Sequence, residues 1–315
     1  MKSVLFYCFF LFICRLTCFS QNDTSAISLV SYWSKGDSFN FKITKVQQQW
    51  KKGELSKNDS SSYIANFLVI DSTASSYKIK WSHKNDLVSE YNIPSKFASL
   101  LSKYQITEVI YTTTDMGQFV GIENWKEIGK MMKDLVADIT ETLYKDKPKE
   151  KEAFKKAMQA IESAYSSKEG VEQFIFKEIQ YFHFPFGYQF SQTTPLTYEQ
   201  PIPNMFGGSV VRGDTKLYIK GVDKKNSTFT LMQEMKLNPE DTRKMLTELF
   251  RKMNVPSTDK IMESAKIDIN DTNQYEYDYL VGTPIKIETL RKTIVDIDKE
   301  KALRIDKIKI ELLQN

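Results

Sequence analysis

The sequence is poor in cysteine and histidine. Its 315 residues include three cysteines and two histidines, and Cys8, Cys14 and Cys18 all lie within the first twenty residues. Zinc sites are built mainly from cysteine and histidine ligands, and neither His83 nor His183 has further ligands at a suitable spacing. We expect His83, at the end of a strand, to lie at the surface and His183, within an aromatic run, to be packed in the core. We therefore predict no metal site and, beyond residue 20, neither a disulfide nor a thiol nucleophile.

Motifs for catalysis or nucleotide binding are also lacking. Gly207-Gly208-Ser209 does not complete a nucleophile elbow, and residues 213–216 do not complete a phosphate-binding loop. The acidic stretches 268–271 and 296–298 lack the ligand spacing of a calcium loop, so we interpret them as plain turns. We predict no catalytic residue and no cofactor, and a non-enzymatic protein is favoured.

Neither sign of charge dominates the chain. Lysine and arginine total 44 against 40 aspartates and glutamates, a formal charge of +4. Domains that bind nucleic acid normally carry a strong basic excess, so no nucleic-acid partner is predicted. Beyond the N-terminus there is no apolar run of about 20 residues, the length that a membrane-spanning helix needs.

The longest apolar run lies at the N-terminus, where residues 4–14 follow Lys2. Small residues, Cys18 and Ser20, then stand at positions −3 and −1 before Gln21. This is the pattern of a cleavable secretory signal. We predict cleavage between Ser20 and Gln21 and export to the periplasm, the cell surface or the medium. Lipid attachment at one of the signal cysteines is the alternative.

Two periodicities divide the rest of the chain. Apolar residues alternate with polar ones in segments such as 39–43, 77–81, 108–114 and 275–279, which is typical of half-buried antiparallel strands. From Trp125 they recur every three or four residues, which predicts three amphipathic helices, with a charged break containing Pro148 between the first two and the third after Gly170. A short helix is predicted from Pro94, a further helix from its N-cap Asn238 and Pro239, and a separate strand over residues 265–269. Residues 51–61 are predicted to be a polar turn, and residues 193–213 a long surface loop.

The two strand-rich segments share an order of elements. Each opens with a Gly-Asp pair, at 36–37 and 213–214, and each ends in a strand, a glycine turn and a strand, around Gly117 and Gly282. We interpret this as an internal duplication. The predicted fold is α+β, with two antiparallel sheet segments forming one curved sheet or half-barrel around an inserted helical section. The predicted division is a signal peptide (1–20), a β segment (21–124), a helical insertion (125–190) and a second β segment with one helix (191–315).

Three short motifs resemble exported proteins of Gram-negative bacteria to which no activity is attached. They are Cys18-Phe19-Ser20-Gln21, Lys35-Gly36-Asp37-Ser38-Phe39 and Thr114-Asp115-Met116-Gly117-Gln118-Phe119. The layout of elements also resembles the LolA-like lipoprotein carriers. That resemblance implies a curved antiparallel sheet that encloses helices over an apolar cavity, and it implies no site residue.

These observations favour an exported, non-enzymatic binding protein. Its ligand is predicted to be an apolar molecule held between sheet and helices, or an envelope partner protein, and no ligand-binding residue is predicted. One alternative is a hydrolase that uses scattered acidic residues. Another is a structural or envelope-assembly protein that uses exposed sheet edges.

Overall fold

A computed structural model describes residues 26–83, 103–104, 108–174, 177–204, 209–252, 255–297 and 300–314. Its strands are β1 (Ala26–Ser28), β2 (Ser38–Lys51), β3 (Glu54–Ser72), β4 (Ser76–His83), β5 (Glu108–Thr114), β6 (Phe119–Ile122), β7 (Gln189–Ser191), β8 (Leu196–Ile202), β9 (Val211–Asp223), β10 (Thr228–Leu237), β11 (Lys266–Asp278), β12 (Thr283–Ile297) and β13 (Glu300–Leu312). Its helices are α1 (Trp125–Tyr144), α2 (Pro148–Ala164), α3 (Lys168–Phe174), α4 (Lys177–His183), α5 (Pro239–Lys252) and α6 (Thr258–Ser264).

One antiparallel sheet of eleven strands dominates these residues. Its order is β6-β5-β4-β3-β2-β13-β12-β11-β10-β9-β8, and β1 and β7 form a separate pair. At the centre β2 pairs with β13, from Phe41 opposite Leu312 to Lys51 opposite Ala302. The sheet is not closed on itself, and helices accompany it, so the expected α+β combination of antiparallel sheet and helices is present. Duplication of the two halves stays a prediction.

The sheet is strongly curved. β5 and β11 are six strand positions apart, which in a flat sheet would separate them by about 29 Å at about 4.8 Å per strand. Yet Tyr111 of β5 hydrogen-bonds His183 (2.8 Å), and Tyr277 of β11 donates to the carbonyl of the adjacent Phe182 (2.5 Å). The sheet therefore curls around the end of α4, which lies on its concave face.

Residues 29–34, called the strap below, tie the two halves of the sheet together at one end. The amide of Ser31 donates to the carbonyl of Met116 in the β5–β6 turn (3.2 Å). The amide of the next residue, Tyr32, donates to the carbonyl of Val281 in the β11–β12 turn (3.4 Å). Both glycine turns that the sequence singled out thus meet at the same short segment.

Aromatic rings fill the space between the strap, α4 and the sheet. The ring of Trp33 lies edge-on to Phe67 and Phe186, with centroids 5.0 and 5.2 Å apart. Phe182 of α4 stacks on Phe67 at 5.1 Å and is fully buried. Protein interiors are packed at crystal-like density, and within the described residues this part of the sheet–helix interface is occupied by the protein's own side chains.

The remaining helices pack at two places. α1 to α3 lie at the β6 edge, where the amide of Ile122 donates to the carboxylate of Glu172 (2.7 Å). α5 and α6 cover the far end of β9, β11 and β12, where Met262 and Ile267 belong to a second apolar cluster. Asn238 caps α5 as the sequence suggests, since its Oδ1 accepts the amides of the first turn at 3.0 Å. No helix in the described part of the chain is long and apolar enough to cross a membrane.

The predicted polar turn over residues 51–61 was wrong. The turn consists of Lys52 and Gly53, which have φ angles of 54° and 86°, and β3 begins at Glu54. Positive φ at both central residues is the geometry of a tight hairpin turn. Residues 54–62 are mostly exposed, so the apolar alternation that reveals a strand is missing there.

Other boundaries also differ from the predicted ones. Residues 193–213 contain the edge strand β8, in which Pro201 is tolerated because an edge strand leaves one side without ladder partners. Gly170 lies inside α3, and α2 begins at Pro148, which was predicted to interrupt the helices. The predicted signal peptide and most of the short helix predicted from Pro94 lie outside the described residues.

Candidate functional site

A polar band crosses the concave face of the sheet between two apolar regions. The concave-facing residues of β11 are, in order, Ile267, Ile269, Asp271, Asn273, Tyr275 and Tyr277. Those of β12, in matching order, are Val295, Thr293, Arg291, Thr289 and Ile287. The tyrosines belong to the aromatic core around α4, and the isoleucines at the other end belong to the cluster under α5 and α6.

The band contains one charged row that runs across five strands. Asp271, Arg291, Asp306, Gln47 and Asp59 are successive cross-strand partners on β11, β12, β13, β2 and β3. Side chains directly opposite each other on neighbouring strands are close enough to interact. Since the row joins residues from both ends of the chain, it exists only because β2 pairs with β13.

A cavity of about 480 Å³ opens over this row. Its volume lies within the range of small-molecule sites, which is roughly 300 to 1,000 Å³. Besides the row, its lining includes Lys45, Lys57, Ser61, Lys177, Tyr181, Asn273, Thr289, Thr293, Arg304 and Ile308. Val46, Ser60 and Lys307 also border it, but strand alternation directs their side chains to the convex face.

Two cavity carboxylates are held by arginines through paired hydrogen bonds. Arg291 donates to both oxygens of Asp271 at 2.7 and 2.6 Å, and Arg304 donates to both oxygens of Asp306 at 2.7 and 2.8 Å. Gln47 donates a third bond to Asp306 (3.1 Å). Burial alone would raise the pKa of Asp306, but these donors outweigh it and lower the pKa. Each oxygen of the two carboxylates therefore already accepts a hydrogen bond.

Two lysines of the cavity are also paired. Lys57 lies 2.9 Å from Asp59 and also donates to the side-chain oxygen of Gln47. Lys45 lies 2.5 Å from Glu178, a carboxylate of α4 that is only 3% exposed. Every carboxylate that lines the cavity is thus matched by a cation from the sheet.

Lys177 at the start of α4 is the exception among the cavity's cations. The residue as a whole is exposed although its amine lies against the protein, and no carboxylate of a described residue lies within 4 Å of that amine. Burial of the amine against the protein, together with the charge of Arg291, lowers its pKa, while the carboxylates of the row act in the opposite direction. Tyr181, one turn further along α4, has its pKa raised mainly by burial.

The two histidines take no part in this site as ligands or acids. His83 was predicted at the surface, but it ends β4 on the concave side and is 7% exposed, and burial lowers its pKa to about 4. His183 is packed in the core, as the sequence suggests. Its Nδ1–H donates to the carbonyl of Gly117, its Nε2 accepts from Tyr111, and burial lowers its pKa to about 3. Among the described residues no group of His, Cys, Asp and Glu side chains is placed to hold a metal ion.

Of the remaining sequence predictions about sites, one lies outside the described residues and one was wrong. Ser20 and Gln21 lie outside the described residues. Residues 268–271 were predicted to be a plain turn, but they lie within β11, and Asp271 is a member of the charged row. This stretch has polar residues at alternate positions within a longer apolar alternation. That pattern could have revealed the site, but it led instead to the prediction of a turn.

Chemically, this arrangement is suited to binding and less suited to proton transfer. A general acid or base needs an accessible group whose pKa lies near the working pH. The cavity carboxylates are engaged by arginine or lysine, whereas the arginines and Lys177 keep N–H groups that no described residue accepts. The cavity therefore presents fixed hydrogen-bond donors on a rigid sheet.

No protein-family model matches the chain, and no curated protein matches it. Among solved structures it is similar to lipovitellin, described in terms of its lipid–protein interactions, with a TM-score of 0.43 and 8% identity over 89% of this chain and 25% of that one. It also matches the attachment invasion locus protein Ail of Yersinia pestis, at a TM-score of 0.16 and 5% identity over 89% and 100% of the two chains. An outer membrane channel of Pseudomonas putida F1 matches at 0.15 and 6% over 90% and 98%. The chain spans about a quarter of the lipovitellin chain, and at these scores no function is carried over.

Proposed function

We propose that this chain is a non-enzymatic binding protein whose ligand places a polar group in the cavity over the charged row. The observation that carries the proposal is the polar band itself. Charges that are wholly or partly removed from water are costly unless they are paired and hydrogen-bonded, and replacing buried pairs by apolar residues is often neutral or stabilising. A row of them between two apolar clusters is therefore not needed to stabilise the sheet, and a ligand site accounts for it.

The apolar ligand that the sequence predicts is compatible with this proposal if it also carries a polar group. Aromatic side chains fill the sheet–helix interface around α4, so an amphiphilic ligand would bind through its polar end in the cavity over the charged row. The alternative of a hydrolase finds less support, because each cavity carboxylate is already paired with a cation.

The ligand can be identified directly. Protein purified from its own host under mild conditions would be analysed by native mass spectrometry, then denatured and extracted separately into aqueous and organic solvent. We expect a bound compound of drug-like size, because cavities of roughly 300 to 1,000 Å³ hold such ligands. The aqueous extract would reveal a hydrophilic ligand and the organic extract an amphiphile. Ligand-free protein in repeated preparations would contradict the proposal.

A matched pair of variants tests whether that ligand occupies the cavity. Thr293 lines the cavity on β12, whereas Thr272 on β11 is exposed on the convex face. Thr293→Trp should fill part of the cavity and abolish retention of the ligand, and Thr272→Trp should retain it. Equal retention by both variants would show that the ligand binds elsewhere.

We also propose that the protein is exported, on the strength of its N-terminal sequence. N-terminal sequencing of the protein from its host should yield Gln21 as the first residue. Recovery of chains that begin at Met1 from the cytoplasmic fraction would contradict export and leave the cavity proposal untouched.

A further inference from the structure

We infer that the polar group bound in the cavity is an oxyanion, a phosphate or carboxylate, held by Lys177 together with the outer nitrogens of Arg291 and Arg304. This inference rests on the proposed function, since it names the chemistry of the ligand for the same site. It follows from which hydrogen-bonding groups of the cavity are already used and which are not.

The carboxylates of the cavity are already paired with cations. Both oxygens of Asp271 and both oxygens of Asp306 accept hydrogen bonds from arginine. Asp59 is paired with Lys57, and Glu178 with Lys45. A cationic ligand would have to compete with lysines and arginines that already occupy these carboxylates.

Several hydrogen-bond donors of the cavity have no acceptor among the described residues. A guanidinium carries five N–H groups, and Arg291 and Arg304 each spend two, from Nε and Nη2, on their carboxylates. Nη1 of both arginines makes no hydrogen bond to a described residue. The ammonium of Lys177 has three further N–H groups and no ion-pair partner in the described part of the chain. The free capacity of the site therefore consists mainly of donors.

The charge balance of the cavity also favours an anionic ligand. Five cations project into the cavity or over it, namely Lys45, Lys57, Lys177, Arg291 and Arg304, against the four carboxylates Asp59, Glu178, Asp271 and Asp306. The excess positive charge belongs to Lys177, the unpaired one. Arg291 and Asp306 are direct cross-strand partners, and Lys177 and Arg304 line the same cavity with them.

An oxyanion satisfies both the free donors and the excess charge. Charge-assisted hydrogen bonds to phosphate or carboxylate are shorter and stronger than neutral ones, and arginine presents a planar set of donors that suits both groups. The anion can belong to a free small molecule or to the headgroup of an amphiphile. The two sources share this recognition chemistry and differ only in whether an apolar tail contributes to binding.

The test uses two probes and three variants. Inorganic phosphate and dihexanoyl phosphatidate, a short-chain soluble phospholipid, would each be titrated into the purified full chain by isothermal calorimetry at low salt. We expect saturable binding that weakens about tenfold in Lys177→Gln, the effect of losing one charge-assisted hydrogen bond. Lys177→Arg should preserve binding. Lys292→Gln removes the same charge from an exposed residue on the convex face of β12 that does not line the cavity, and it should leave affinity within about twofold.

The outcomes separate this inference from the proposed function. Tighter binding of phosphatidate than of phosphate identifies an amphiphile, and equal binding identifies a free anion, so either supports the inference. Absence of saturable binding of both probes, or equal losses in Lys177→Gln and Lys292→Gln, overturns it. If the extracted ligand is then neutral and still depends on Thr293, the proposed function stands. If Thr293→Trp also retains that ligand, both fail.

Discussion

At the scale of single residues, the pair of Asp271 and Arg291 combines a structural role with the binding site. The Asp271 side chain is 7% exposed and the Arg291 side chain 36%. Asp271→Asn should leave a guanidinium without its counter-charge and lower the free energy of unfolding by about 2 kcal/mol, less than for a fully buried pair. Urea denaturation would measure the loss. Glu300→Gln, in an exposed pair with Lys52, is the control and should change stability by less than about 0.5 kcal/mol.

Gly282 in the β11–β12 turn, compared with a glycine outside both glycine turns, offers a test of how tightly the strap is held. Gly282 has φ of +70°, and a Cβ there would lie 2.3 Å from the carbonyl oxygen of Val30 in the strap. Gly36 has φ of +97°, with no heavy atom within 4 Å of such a Cβ. Gly36→Ala should therefore cost only backbone strain, about 1 to 2 kcal/mol. Gly282→Ala should cost about 1 to 3 kcal/mol more, because the strap must move. Equal losses in thermal unfolding would contradict the contact.

His183 makes the stability depend on pH. Burial lowers its pKa to about 3 in the folded protein, whereas an unfolded chain binds the proton near pH 6.5. The free energy of unfolding should therefore fall as pH decreases from about 6.5 toward 3, by about 1.4 kcal/mol per pH unit for this group. His83, whose pKa burial lowers to about 4, adds a similar slope over a narrower window.

Urea denaturation at pH 7, 6 and 5 would measure this slope above the range where most carboxylates titrate. His183→Gln should remove its share and leave that of His83. A slope that is the same in wild type and in the variant would show that His183 is protonated in the folded protein.

At the scale of elements, the strap is held through Trp33 as well as through its amides. Trp33 Nε1 donates to the carbonyl of Gly282 at 3.1 Å, and the side chain is 4% exposed. Trp33→Ala should lower the free energy of unfolding by about 3 to 5 kcal/mol through cavity formation. Trp33→Phe keeps a ring but loses the donor, and should cost about 1 to 2 kcal/mol.

Hydrogen exchange would show whether the strap acts as a unit. Because consecutive amides bond to the two glycine turns, exchange at Ser31 and Tyr32 should accelerate together in Trp33→Ala. Faster exchange at only one of them would mean that the two halves of the sheet are held independently.

At the scale of the whole molecule, β13 joins the two halves of the sheet. It lies between β2 and β12, so its removal exposes two long strand edges. A chain that ends at Ile297 should lose cooperative unfolding and aggregate, because unpaired edges recruit other strands. A chain that ends at Leu312 keeps β13 and should unfold like the wild type. Size-exclusion chromatography and thermal unfolding would distinguish the two, and a soluble, cooperative chain ending at Ile297 would contradict this role.

Local patterns predicted the elements with one buried face. β5 was predicted at its observed bounds because Val109, Tyr111 and Thr113 alternate with outward residues. The long helix α1 followed from its apolar spacing, and α5 from Asn238 and Pro239. β11 was split into two predicted strands because Asp271 and Asn273 face inward, where alternation leads one to expect apolar residues.

The sequence by itself determined the alternation of strands and helices, the glycine turns at Gly117 and Gly282, and the shortage of cysteine, because each depends on residue type or on neighbours within a few positions. Only the tertiary structure decided that both turns meet the strap and that residues 47, 59, 271, 291 and 306 form one row. That row depends on the register between β2 and β13. Their paired residues are more than 250 positions apart, so no local periodicity reports them.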